Sequence, residues 1–121
     1  MNGSRVVILV ADDEELVRNL VAVIVRSDGY HVLIASDGVE ALDLSRRYAG
    51  HIDLLISDIE MPRMTGVELA NMLVRERPKI KVLLLSGYLN VEIPRGWDFL
   101  RKPFAVDALR RAISSLLAPV G

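Results

Sequence analysis

Five polar residues of this 121-residue chain stand where apolar runs stop. Asp12 and Asp13 follow Val6–Ala11, Asp58 follows Ile52–Ser57, Ser86 closes Val82–Ser86, and Lys102 comes just after Trp97–Leu100. Together they make a set with definite chemistry. A carboxylate can act as a nucleophile, and neighbouring carboxylates are hard oxygen ligands for a dication. An ammonium and a hydroxyl can hold the charge that develops on a transferring phosphoryl group. Gly87, next to Ser86, leaves its backbone N–H sterically open. Three carboxylates brought within a few ångström repel by on the order of 4 kcal/mol per pair at an effective dielectric near 20. Either a proton retained through a raised pKa or a bound dication must offset that repulsion. There is no cysteine, and His31 and His51 flank the second and third strands at the opposite, N-terminal ends. Among dications, Mg²⁺ with oxygen ligands fits best.

For these residues to meet, the apolar runs must lie side by side. Val6–Ala11 is continuous and rich in β-branched residues, the pattern of a strand buried on both faces. Leu16, Val17, Leu20 and Ile24 then recur at helical spacing, and Asp28-Gly29 closes the segment. Further strands are expected at Val32–Ala35, Ile52–Ser57, Val82–Ser86 and, shorter, at Trp97–Leu100. Asp37-Gly38-Val39-Glu40 has capping-box spacing and opens a helix of about ten residues with Val39, Ala41, Leu42 and Leu44 as its apolar stripe. Gly66 to about Glu76 forms the next helix, stopped before Pro78. Ala105–Leu117 forms the last, with Leu109, Ala112, Ile113, Leu116 and Leu117 inward. Alternating buried strands and amphipathic helices predict a doubly wound α/β fold around a parallel sheet, with ligands beyond the carboxyl ends of its strands. The stretch from Ser86 to Lys102 breaks the rhythm. Pro94 and Gly96 oppose a full crossover helix there, leaving a single turn or an irregular loop.

Composition narrows the function classes. Apolar residues at 51% and charged residues at 26% describe an ordinary globular domain, expected as one unit over residues 1–121 with its core at about 5–118. The formal charge of −1 gives no support for broad nucleic-acid binding. Val6–Ala11 is too short to span a bilayer and carries no signal-peptide pattern, so the cytoplasm is the default expectation. Met61, Met64 and Met72 are expected to pack, and Trp97 and Phe104 to serve as core or lid aromatics.

Four segments carry a family resemblance: Ile8-Leu9-Val10-Ala11-Asp12-Asp13-Glu14, Asp58-Ile59-Glu60-Met61-Pro62 with Gly66, Leu85-Ser86-Gly87-Tyr88, and Phe99-Leu100-Arg101-Lys102-Pro103-Phe104. In this order and spacing they resemble the response-regulator receiver domains of two-component signalling, over essentially the whole chain. The resemblance implies a flavodoxin-like sheet in order 2-1-3-4-5. It implies Asp58 as phospho-acceptor, charged from a phosphohistidine on a histidine kinase or phosphotransfer protein, with slow self-dephosphorylation rather than conventional turnover. Asp13 and Asp58 would ligate Mg²⁺ directly, Asp12 largely through water, and Glu60 through its backbone carbonyl. Lys102, Ser86 and the Gly87 N–H would bind the phosphoryl group.

The resemblance further implies Ser86 and Phe99 as switch residues that carry the change to a downstream protein. Phe99 lacks the hydroxyl of a tyrosine, so its inward and outward rotamers differ by packing alone. Glu60 and Tyr88 match positions that modulate hydrolysis. The segment from Ser86 to Lys102 is about six residues shorter than usual for the family. That argues for a shortened or missing fourth helix and against dimerisation through the face it normally helps to form. The pattern is similar to receivers fused behind hybrid histidine kinases, so a free-standing regulator and a hybrid-kinase receiver are both contexts to consider.

Two other function classes fare worse. An aspartyl-phosphate hydrolase of the haloacid-dehalogenase type carries its nucleophile after the first strand with a second Asp two residues on, and Asp12-Asp13-Glu14-Glu15 has no such Asp. A pure interaction scaffold has no need of clustered carboxylates.

Overall fold

The structure, a computed structural model, describes residues 5–88 and 92–119. Its elements in chain order are β1 (Val7–Ala11), α1 (Glu15–Ser27), β2 (His31–Ala35), α2 (Gly38–Arg47), β3 (Leu54–Asp58), α3 (Gly66–Glu76), β4 (Lys81–Ser86), β5 (Asp98–Arg101) and α4 (Val106–Leu117). The five strands form one parallel sheet in order β2-β1-β3-β4-β5. This is the doubly wound, flavodoxin-like arrangement expected from the sequence.

Because side chains alternate across a strand, each strand feeds two cores. Val7, Leu9 and Ala11 of β1 pack with Leu55, Leu84 and the buried face of α3, Leu69 and Leu73. Ile8 and Val10 face the other way, onto Ile56, Leu83, Leu85, and Val21, Val25, Leu109 and Ile113 of α1 and α4. Burial on both sides explains why the strands read as unbroken apolar runs. The three methionines and two aromatics singled out in the sequence pack as expected. Met61, Met64, Met72 and Trp97 join the first core, and Phe104 borders the second.

The face of α1 is only partly the expected one: Val17 and Ile24 pack into the second core, but Leu16 and Leu20 do not. The helix buries Val21, Ala22, Ile24 and Val25, while Leu16 is 85% exposed and Leu20 46% exposed. Residues 20–25 are apolar without a break, so more than one rotation satisfies helical spacing, and contact with the sheet selects the Val21–Val25 face. Val23 is exposed as well, which leaves Leu16, Leu20 and Val23 as a bare apolar stripe at positions i, i+4 and i+7.

Two further local expectations are corrected. At α2 the Asp37 side chain accepts from the Glu40 N–H at 2.8 Å, but the Glu40 carboxylate reaches past Asp37 to the Ser36 N–H, also at 2.8 Å. The reciprocal capping box belongs to α3, where Thr65 and Glu68 each accept from the other's backbone N–H. Asp58 also lies within β3 as its last residue rather than beyond it.

At the far end of α3, just before Pro78, the Arg77 guanidinium hydrogen-bonds the Ser45 hydroxyl and the carbonyls of Ser45, Tyr48 and Gly50. It satisfies carbonyls at the end of α2 that the helix cannot pair internally. Between β4 and β5, the described residues Gly87, Tyr88 and 92–97 contain no helix, only a turn at Arg95-Gly96, where Gly96 takes a φ of 94°. The part of the short-helix expectation that falls on residues 89–91 lies outside the described residues, as do residues 1–4 and 120–121. No helix among the described residues is long and apolar enough to cross a membrane.

Candidate acidic site

Strand register brings the polar residues to one edge. Ala11 pairs with Ser57, Asp58 with Leu85, and Ser86 with Arg101. The residues that follow, Asp12 and Lys102, therefore emerge beside Asp58 and Ser86. Backbone bonds fix the exits: Asp12 N–H to the Ala35 carbonyl, Ile59 N–H to Leu85, and Lys102 N–H to Ser86 at 2.8 Å. Asp58 also depends on Gly66. A Cβ on Gly66 would collide with the Asp58 carbonyl, so only glycine lets α3 start this close to the end of β3.

Asp12, Asp58 and Ser86 are buried, at 1%, 3% and 0% exposure. Oxygens of Asp12, Glu14 and Asp58 all lie within 4.8 Å of one another. Lys102 serves all three carboxylates, with Nζ 2.7 Å from Glu14 Oε1, 3.1 Å from Asp12 Oδ2 and 3.4 Å from Asp58 Oδ2. Lys102 and Asp12 Oδ2 form an ion pair, and Asp58 Oδ1 is buried with no hydrogen-bond partner.

Electrostatics follow from this packing. Burial, together with the neighbouring Asp12 charge, pushes the Asp58 carboxyl up to about 7 despite Lys102. Burial raises Asp12 too, with the Glu14 N–H and Lys102 pulling the other way. For Lys102, burial favours loss of the proton, but hydrogen bonds to Glu14 and Asp12 and the charges of Asp12 and Asp58 outweigh it and hold the ammonium charged. An all-oxygen donor set, an orphaned buried carboxylate oxygen and a carboxyl left half-neutral near pH 7 are what a hard dication would relieve. The cluster therefore fits a divalent cation.

The structure gathers Asp12, Asp58, Ser86 and Lys102. Asp13 is exposed and does not belong to the carboxylate cluster; Glu14 does. Glu14 is the extended N-cap of α1, and its longer side chain reaches back over the site, aided by its N–H donating to Asp12 Oδ1 at 2.9 Å. The acidic run Asp12–Glu15 was the available signal for Glu14, but spacing alone does not say which member turns inward. Ser86 donates to both Glu60 carboxylate oxygens at 2.9 Å, and the Tyr88 N–H donates to the Ser86 hydroxyl at 3.1 Å. Gly87 is exposed with open space around it, and Phe99 is half-buried against the first core. A cavity of about 370 Å³, lined by Glu14, Val17, Leu20, Gly87, Lys102 and Phe104, opens beside the cluster.

The sequence profile of the response regulator receiver domain matches residues 8–114. The chain belongs to the response-regulator receiver family. These are phospho-accepting signalling domains, and the Asp12–Glu14–Asp58 cluster is the acidic centre such a receiver needs for self-phosphorylation and self-dephosphorylation. Among curated relatives, this receiver is 35% identical over 123 residues to the sensor kinase CckA of Brucella abortus (strain 2308), covering 97% of this chain and 13% of the kinase. It is 30% identical over 126 residues to the probable transcriptional regulatory protein TcrX of Mycobacterium tuberculosis, covering 99% of this chain and 53% of that protein. The receiver thus spans a small part of the first relative and about half of the second. The solved receiver domain of the hybrid histidine kinase CckA aligns at a TM-score of 0.76 with 36% identity, over 93% of this chain and 99% of that one. A receiver domain protein from Clostridium thermocellum aligns at 0.84 with 28% identity, over 93% and 94% of the two chains.

Proposed function

We propose that Asp58 accepts a phosphoryl group from a phosphohistidine of a histidine kinase or phosphotransfer protein, and that residues 1–121 act as one receiver unit in a phosphorelay. The observation that carries this reading is the buried, unpartnered Oδ1 of Asp58 beside the Lys102 ammonium. In the transfer, the P–N bond to the donor imidazole breaks as a P–O bond to Asp58 forms. The imidazole leaves with the electron pair and takes a proton. Lys102, the Ser86 hydroxyl and the Gly87 N–H would bind the phosphoryl oxygens. Slow attack of water on phosphorus regenerates Asp58, with the Glu60 and Tyr88 side chains flanking the site.

The cation is Mg²⁺ in this reading. Asp12, Asp58 and the Glu60 carbonyl would hold it, with Glu14 as a neighbouring carboxylate, and Asp13 would join them by turning inward from its exposed position. When bound, it neutralises charge on the phosphoryl oxygens. Ser86 and Phe99 would carry the change to a downstream protein. The bare stripe of Leu16, Leu20 and Val23, with Leu20 also lining the adjacent cavity, suits contact with the phosphodonor protein. Similarity to the hybrid kinase favours a kinase-linked setting over a free-standing one. We place the domain in the cytoplasm, without nucleic-acid or membrane contacts of its own.

Incubation with a phosphorylated histidine phosphotransfer protein and Mg²⁺ tests the assignment. Label should reach wild-type protein and Asp12→Ala to some extent, but not Asp58→Ala. Stoichiometric labelling of Asp58→Ala would overturn it.

A further inference from the structure

The Ser86 hydroxyl carries one hydrogen, and in this structure it is donated to Glu60. Ser86 Oγ is fully buried, donates to both Glu60 carboxylate oxygens at 2.9 Å, and is held from the other side by the Tyr88 N–H at 3.1 Å. That single hydrogen is shared between the two oxygens of one carboxylate, so it is not available to a phosphoryl oxygen on Asp58 while this contact stands. We propose that the Glu60 side chain is a positioning residue that competes with the phosphoryl group for the Ser86 hydroxyl, and so sets how readily this receiver takes up and keeps its phosphorylated form. The proposal rests on Asp58 being the acceptor.

The chemistry is a direct exchange of acceptors. Glu60 offers a full negative charge to the hydroxyl, which makes this bond stronger than one between neutral groups. Ser86 must leave it to reach the phosphoryl group, and the freed Glu60 carboxylate must be rehydrated or find another donor. The Tyr88 N–H follows, because its bond depends on where Ser86 Oγ sits. Glu60 also stands near Asp58 and adds to its negative surroundings. Removing Glu60 therefore has two possible effects, release of the hydroxyl and relief of repulsion, and only the first depends on Ser86.

A double-mutant cycle separates them. The full chain is titrated with beryllofluoride, a phosphoryl mimic, in the presence of Mg²⁺, and binding is followed by calorimetry. Glu60→Ala should lower the half-saturating concentration about tenfold, the worth of one hydrogen bond to a charged group. In a Ser86→Ala background the same replacement should change it little. Glu60→Gln keeps a neutral acceptor and should fall between. In divalent-free protein, the Tyr88 amide resonance should shift in Glu60→Ala, reporting the released hydroxyl without any phosphoryl mimic. An equal gain with and without Ser86 would reduce Glu60 to a repelling charge and overturn the proposal. So would an unmoved Tyr88 resonance or the absence of any gain in Glu60→Ala. Asp58→Asn is the separate control: if it binds beryllofluoride as wild type does, the acceptor assignment fails, whatever Glu60 does.

Discussion

The Lys102 ammonium lies 3.4 Å from Asp58 Oδ2, yet Asp58 is not its best-served partner. Glu14 at 2.7 Å and Asp12 at 3.1 Å are both closer. One cation is divided among three carboxylates, and Asp58 Oδ1, buried within the set, has no hydrogen-bond partner. The site is short of positive charge, and Asp58 meets the shortage by holding a proton up to about pH 7.

That proton gives the folding equilibrium a definite pH dependence. Between about pH 4 and 7, folded Asp58 binds more protons than its unfolded counterpart, so stability is greatest at the acid end and falls as pH rises through 7. A displacement of this size corresponds to roughly 4 kcal/mol as a ceiling. Denaturant unfolding in divalent-free buffer should show stability declining from pH 5 to 8, with Asp58→Asn flattening the slope and being the more stable protein at pH 8. Identical profiles for the two proteins would contradict the buried, raised carboxyl.

Mg²⁺ should act in the opposite sense. It binds the ionised carboxylates, so its stabilising effect should grow from pH 6 to 8. A concentration a hundred times its dissociation constant would add about 2.7 kcal/mol. Calorimetric titration should find one site, weakened at least tenfold in Asp58→Asn and also weakened in Asp12→Asn. Full-strength binding in Asp58→Asn would place the cation elsewhere.

Lys102→Met removes the shared ammonium and keeps most of the side-chain length. Two buried carboxylates then face each other uncompensated, and divalent-free protein should lose roughly 3 kcal/mol at pH 8. Mg²⁺ should recover much of that stability. Phosphorylation by acetyl phosphate should remain poor, since the ammonium that faces the acceptor is gone. Thermal melts with and without Mg²⁺, paired with phosphorylation assays, read both effects.

Leu16→Glu and Leu20→Glu test the bare face of α1. Both residues are exposed, so stability should move by no more than about 0.5 kcal/mol. Labelling by acetyl phosphate should be unchanged, whereas transfer from a phosphohistidine protein should slow roughly fivefold or more. Equal rates from the protein donor would show that it docks elsewhere.

Strand order and the meeting of Asp12, Asp58, Ser86 and Lys102 were legible because parallel sheets turn sequence position into place: each buried run ends at the same edge. What was not legible depended on rotation and side-chain reach. Leu16 and Val25 are equally apolar, and only contact with the sheet decides which is buried. Asp13 and Glu14 are adjacent acids, and the extended N-cap conformation at Glu14 decides which carboxylate turns inward. The hold of Glu60 on Ser86 joins residues 26 positions apart, a pairing that no local pattern encodes.

Gly66 has the widest mechanical consequence. Its N–H bonds the Ile59 carbonyl at 2.8 Å, and its bare α-carbon sits against the Asp58 carbonyl, so β3 and α3 meet in a joint with no slack. At the other end of α3, roughly 16 Å away, the Arg77 guanidinium grips the end of α2. A displacement of the Asp58 main chain therefore has a stiff rod to push on, and the tilt it produces would be felt at the opposite pole of the molecule.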